Sequence, residues 1–253
     1  METEEGSQTA RRRAEIARLI TEAGMVQVAS LVARFGVTPP TIRRDLEWLE
    51  AQGLARRVHG GALALTGRSP SPFTPEAIPA RIGRAAAALA QDGETLFITP
   101  GLLALETARA LTGRQRLTIV TNSLAVARQV AEGSDHTLIL TGGQLERHDQ
   151  GLVGHLAHLA LPSLRADRLF LELDGVNAVA GLTTDSLPQA ELARLLLDLK
   201  AEVVALVPPE RVGRVAAVLI AAASEADVIV TAREADSAPL WDLAELGVRV
   251  VLA

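Results

Sequence analysis

Cysteine is absent from the 253 residues, so the chain can build neither a disulfide framework nor a thiolate metal site. Tyrosine is absent too, and four phenylalanines with two tryptophans leave little aromatic surface for stacking the bases of a single strand. Lysine is almost missing: Lys200 stands alone beside 24 arginines, a bias from which no function follows. No apolar run reaches the roughly 18 residues a membrane span requires, and the first ten residues are polar and acidic rather than an apolar export segment. A cytoplasmic location is the expectation.

The charge that is present is unevenly spread. The chain carries −5 overall, yet residues 10–68 hold ten arginines against five acids, and residues 69–253 hold 15 bases against 22 acids. A small basic unit therefore precedes a larger acidic one. Between them, residues 66–79 place four prolines among small and polar residues, a composition that disfavours helix and reads as a linker. Domains are expected over 1–65 and 80–253.

In the second of these, short β-rich runs at 95–99, 117–121, 137–141, 168–174, 203–207, 227–231 and 248–253 are each followed by a helix-compatible segment or by the chain end. Strands this uniformly apolar have no wet face, so the pattern predicts a doubly wound, mainly parallel α/β domain. Ligands of such domains sit at the carboxyl ends of the strands.

In the first unit, Ile16, Leu19 and Ile20 predict a helix from Arg11 to Ala23 stopped by Gly24. Val28, Leu31, Val32 and Phe35 predict a second, closed by Gly36. Thr38 followed by Pro39 signals a third helix start, with the threonine as hydroxyl cap. There Ile42, Leu46 and Leu49 share one face and leave Thr41, Arg43, Arg44 and Glu47 outward. Residues 54–65 alternate around Gly60-Gly61, which predicts a basic hairpin carrying Arg56 and Arg57. This is the pattern of a winged helix-turn-helix, whose second helix is read as entering the major groove of double-stranded DNA. The candidate DNA contacts are Thr38, Thr41, Arg43, Arg44, Arg56, Arg57 and His59. Arg11 to Arg13 are expected to be solvated.

The stretch Phe35-Gly-Val-Thr-Pro-Pro-Thr-Ile-Arg-Arg-Asp-Leu46, with Leu49, Gly53-Leu54 and Arg56-Arg57-Val-His-Gly-Gly61, resembles the DNA-binding signature of the DeoR-type winged-helix transcriptional regulators. The resemblance extends to Thr121-Asn-Ser123, Thr141-Gly-Gly143, Gly151-Leu-Val-Gly154, Asp174-Gly175 and Gly181-Leu-Thr-Thr184, loops similar to those of the family's sensor domain. It implies a repressor-like homo-oligomer that binds operator DNA and is released by a small metabolite, often a phosphorylated sugar. It also implies an α/β domain resembling sugar-phosphate isomerases. The candidate effector-binding residues are Gly101, Asn122, Ser123, Gly142, Gly143, Asp174, Thr183, Thr184 and Arg211, which supply close backbone approach and hydrogen-bonding groups.

Several positions depart from the family pattern. Where the family commonly carries Asp-Ser-Gly-Thr-Thr, this chain has Thr99-Pro100-Gly101-Leu102-Leu103. Ala193 stands where a lysine is common, and Val207-Pro208-Pro209-Glu210-Arg211 replaces an Ala-Asp-Ser-Ser-Lys loop. A buried phosphate needs donors and a compensating cation, so three outcomes stay open: a less charged effector, a phosphate held with Arg211, or a sensor without a ligand.

No cofactor or metal is expected, because His155 and His158 lack a placed third ligand. Glu172 and Asp174 are expected to face opposite sides and make a poor acid/base pair. An isomerase-like enzyme and an effector-independent DNA-binding protein are the alternatives to a regulator.

Overall fold

A computed structural model describes residues 2–23, 25–58, 60–64 and 77–253. The linker expected at 66–79 falls, apart from its last three residues, outside the described residues, as do Gly24 and His59.

Helix α1 (Glu2–Ala23) starts nine residues before the predicted Arg11, because its polar first turns carry no apolar periodicity to announce them. Strand β1 (Met25–Gln27) leads into α2 (Val28–Phe35), which ends at Gly36 in the left-handed region (φ 63°) with its amide bonded to the Val32 carbonyl. Helix α3 (Pro39–Ala51) follows an extended Thr38 and has proline in its first turn, as predicted. The Thr38 hydroxyl caps nothing, however; it lies 2.9 Å from the Thr41 hydroxyl.

Ile16 and Ile20, one turn apart, pack with Leu31, Ile42, Leu46 and Leu49 and with Ala55 and Ala62 into one small core. The last two belong to the hairpin of β2 (Ala55–Val58) and β3 (Gly61–Ala64), and β1 adds a third strand on β3. The turn sits one residue earlier than predicted: Gly61 already pairs with Val58, so of the two glycines Gly60 alone falls outside the strands, with φ 95°.

The α/β unit begins with α4 (Ile78–Ala87) and continues through β4 (Thr95–Ile98), α5 (Leu102–Ala110), β5 (Thr118–Thr121), α6 (Leu124–Gly133) and β6 (Thr137–Leu140). A short hairpin, β7 (Gln144–Leu145) and β8 (Leu152–Val153), precedes α7 (His155–Ala160) and β9 (Arg168–Glu172). Then come β10 (Gly175–Asn177), β11 (Gly181–Thr184), α8 (Leu187–Leu197), β12 (Glu202–Leu206), β13 (Val218–Ala221), β14 (Val228–Thr231), α9 (Ser237–Glu245) and β15 (Arg249–Leu252).

All seven predicted runs are strands of one parallel sheet, in the order β15-β14-β12-β9-β4-β5-β6. Alternation along each strand feeds two cores. Phe97, Leu169, Leu171, Ala205, Ile229 and Val250 meet α7, α8 and α9, while Leu96, Ile98, Phe170, Val204, Val230 and Val251 meet α4, α5 and α6. The winding reverses between β4 and β9, neighbours in the sheet although far apart in sequence. That is the switch point where the loops leaving two strands part and a crevice opens.

Two features escaped the sequence. Gly175–Asn177 and Gly181–Thr184, expected as loops, form with Val218–Ala221 a separate antiparallel sheet in the order β10-β11-β13. Edge strand β6 is not uniformly buried: Ile139 and Leu140 are 39% and 42% exposed. Among the described residues no helix is long and apolar enough to cross a membrane.

Candidate nucleic-acid interface and ligand cavity

One face of α3 is fixed by its core residues, and its opposite side carries Arg43 and Arg44, both exposed and without an ion-pair partner among the described residues. Thr41 is half-buried beside them and Thr38 is exposed. Two unpaired cations on the first turns of a helix suit a phosphate-lined groove.

The helix is set on its neighbours by Asp45, 1% exposed, whose carboxylate accepts from Arg12 Nε at 2.6 Å and Arg13 Nε at 2.8 Å. Arg13 also lies over the Trp48 ring, 4.8 Å from its centroid. Arg12 and Arg13 are therefore tied to α3 rather than solvated as expected. Asp45 sits inside the motif that carried the resemblance, and nothing in the sequence marked it as their partner.

The arginines of the hairpin separate. Arg57 is exposed and stays with α3: its guanidinium meets Glu47 at 2.9 Å and its amide donates to Glu50 at 2.8 Å. Arg56 turns to the α/β unit, where its guanidinium donates to the Ala235 carbonyl at 3.1 Å and burial, with Arg233 nearby, lowers its pKa. Arg56 thus does not join Arg43 and Arg44 on one surface. The Trp241 indole of α9 rests on the same hairpin: a Cβ at Gly61 would come within 2.8 Å of it and 2.0 Å of the Val26 carbonyl oxygen. Gln27 Nε2 donates to Glu245 at 3.4 Å. The hairpin is clasped by α9.

In the α/β unit a cavity of about 820 Å³ opens at the carboxyl ends of β4 and β9. Of the nine effector candidates, Gly101, Asp174, Thr184 and Arg211 line it, and the other five do not. Asn122 is fully buried, its amide donating to the Leu152 carbonyl at 3.0 Å. The Ser123 hydroxyl caps α6 by accepting from Val126. Thr183 donates to the Gly175 carbonyl at 3.0 Å and accepts from the Ala216 amide at 2.9 Å. Gly142 and Gly143 lie between β6 and β7, where a Cβ on Gly143 would sit 2.7 Å from the Val153 carbonyl oxygen. The strand-end signal that nominated them reports local backbone needs as readily as a ligand.

Pro100, Leu102 and Ala193 do line the cavity. Its polar wall is acidic: Glu146, Asp149, Glu172, Asp174 and Asp185 face Arg147 and Arg211, with His148 beside Arg147. Asp174 already has three partners, accepting from Thr184 at 2.8 Å, from the Asp185 amide at 2.9 Å and from Arg211 in a close ion pair. Burial alone would raise its pKa. The Asp185 amide, the Thr184 hydroxyl and the charges of Arg211 and Arg214 outweigh that and hold it below the ordinary value. Glu146 and Asp149 are held to the start of α8, by the Ser186 hydroxyl at 3.1 Å and the Gln189 amide at 2.6 Å.

Glu172 is the residue that sequence reasoning passed over. Residues two apart along an extended chain point the same way, so Glu172 and Asp174 both face the cavity, against the expectation. Glu172 shares the face of Phe170, on the side of α5, and its Oε2 accepts from the Ala104 amide at 3.0 Å. Burial pushes its pKa up to about 7, against the opposing pull of the Ala104, Leu103 and Leu102 amides and of Arg211. Gly101 makes the room: at φ 136° a Cβ there would lie 2.0 Å from Glu172 Oε2.

Comparison with known proteins places this architecture. Residues 12–68 match the DeoR-like helix-turn-helix domain and residues 79–233 the DeoR C terminal sensor domain. A putative aga operon transcriptional repressor of Escherichia coli O157:H7 is 30% identical, over 96% of this chain and 94% of that one. The HTH-type transcriptional regulator GlpR of Haloferax volcanii is 32% identical, over 96% and 97%. The glycerol-3-phosphate regulon repressor of Escherichia coli K12 is 32% identical, over 85% and 88%. Among solved structures, ribose 5-phosphate isomerase A of Methanocaldococcus jannaschii is similar with a TM-score of 0.38 at 15% identity, over 53% of this chain and 52% of that one. A likeness that distant says nothing of activity.

Proposed function

The chain belongs to the DeoR family of transcriptional regulators, and from that premise we propose that it represses carbohydrate or related catabolic genes by docking α3 in the major groove of operator DNA. The observation that carries this is the unpaired Arg43 and Arg44 on the outward face of an otherwise anchored helix. Thr38, Thr41 and Arg57 flank them, and His59, outside the described residues, is kept as a candidate contact from the sequence alone. The effector takes the cavity at the ends of β4 and β9, and the clasp of Arg56 and Trp241 on the α/β unit supports a route by which its occupancy reaches the hairpin. The protein works as a homo-oligomer, at least a dimer. Two winged helices read a repeated site together, and Ile139, Leu140 and Leu145, with Leu156 and Leu159 on α7, leave apolar surface for a second copy.

A DNA fragment upstream of the chain's own gene, followed by fluorescence anisotropy while metabolites are added, tests the three parts together. Specific binding released by one compound is the expected result, and no binding at low ionic strength rejects the reading.

One observation favours a second reading. Glu172 and Asp174 have pKa values pushed apart in one cavity, the arrangement of a general acid and a base. Turnover of a sugar phosphate that is lost in Asp174→Asn would establish an isomerase-like enzyme. The three partners that already hold Asp174, Thr184, Asp185 and Arg211, count against it.

A further inference from the structure

The floor of the cavity is the amino end of α5, where backbone amides converge and the helix dipole favours negative charge. An anionic group on a ligand would seek that place, yet it is filled. The Glu172 carboxylate lies against the amides of Leu102, Leu103 and Ala104, in space kept open by Gly101, whose missing Cβ would otherwise overlap it. Two independent features of the chain, a long acid on β9 and a glycine after β4, thus fit each other. The remaining wall adds Glu146, Asp149 and Asp185, and the half-buried cation, Arg211, is already paired with Asp174. Only Arg147 and His148, both on the exposed rim, lean the other way.

We propose that the cavity receives an unphosphorylated, hydrogen-bond-donating ligand, a neutral or cationic polyol, because the chain's own Glu172 carboxylate occupies the amide cradle that a ligand's phosphate would need. Hydroxyl or ammonium groups donate to the acceptors that line the wall, while an anion would meet an occupied cradle and, once Glu172 has lost its proton, a resident negative charge in a partly desolvated site. The inference rests on the cavity being the effector site.

The test uses the full-length chain with inorganic phosphate as the probe at pH 8, read by calorimetry and by the rise in melting temperature. Arg43→Ala and Arg44→Ala are present throughout, so that phosphate held by the exposed helix does not register. With Glu172 intact, no saturable binding is expected. Glu172→Ala or Glu172→Gly vacates the cradle and gains one phosphate, with affinity raised at least about tenfold and a melting temperature that climbs with phosphate concentration.

Saturable binding of one phosphate with Glu172 intact overturns the proposal, as does a folded Glu172→Ala or Glu172→Gly chain that gains none. Should neither variant fold, the arm with Glu172 intact decides alone. No DNA enters this assay, so a chain that fails to bind promoter fragments sinks the regulator reading without moving this result.

Discussion

Replacing Glu172 with glutamine should flatten the pH dependence of stability between about pH 4.5 and 7 and make the protein more stable at alkaline pH. The sign follows from the direction of the shift. In the folded chain burial raises the Glu172 pKa from 4.5 to about 7, so between those values the native state holds a proton that the unfolded chain has released. Stability is fully present below pH 4.5, falls as pH rises through 7 and levels off above it. At roughly 1.4 kcal/mol per pKa unit, the loss is about 3 kcal/mol. Glutamine keeps the volume and an acceptor for the α5 amides but has no proton to lose. The assay is urea unfolding of Glu172→Gln and the parent chain at half-unit pH steps from 4.5 to 9, taking the difference of the two curves so that other titrating groups cancel. Curves that run parallel across the whole range would refute the burial assigned to this carboxylate.

Asp45→Ala leaves Arg12 and Arg13 beside an emptied, buried site and should cost about 3 kcal/mol or more, seen as early melting of the helical signal. Gly61→Ala drives a Cβ into the Val26 carbonyl and Trp241, so loss of DNA binding with the α/β unit still folded is expected; an unchanged variant would show that the hairpin is not clasped as described. Arg56→Ala should leave affinity for DNA within about threefold, since the guanidinium bonds the Ala235 carbonyl, while weakening release by effector. A loss as large as that from Arg43→Ala would return Arg56 to the DNA-facing surface. Asn122→Ala should lower the melting temperature without changing ligand affinity, because Asn122 holds the Leu152 carbonyl.

The parallel sheet was legible because burial on both faces writes its inner strands as largely apolar runs, and all seven runs named from the sequence are its strands. The helix-turn-helix was legible through Gly36, Pro39 and the spacing of Ile42, Leu46 and Leu49. Strands β10, β11 and β13 were not, because Gly175–Asn177 and Gly181–Thr184 are three and four residues long and rich in the residues that also make turns. The cavity was half legible. Gly101, Asp174, Thr184 and Arg211 were found by their place after strands, but Asn122, Ser123 and Thr183 share that signal while serving the backbone. Glu172 was missed because its role comes from the start of α5, 70 residues earlier in the chain, which no local pattern reveals. The arginines divide for the same reason: Arg56 and Arg57 are adjacent in sequence, yet strand alternation sends one to Ala235, just before α9, and leaves the other beside α3.

On the proposed reading, α3 meets duplex DNA through Arg43 and Arg44. Binding of the parent chain and of Arg43→Ala with Arg44→Ala to the fragment upstream of its own gene, titrated across salt concentrations, addresses it directly. The parent should bind with a steep salt dependence, and the double variant should lose specific binding while its salt slope falls by about 0.9 for each phosphate contact removed. Equal affinity and an unchanged slope in a folded double variant would contradict the assignment of that helix.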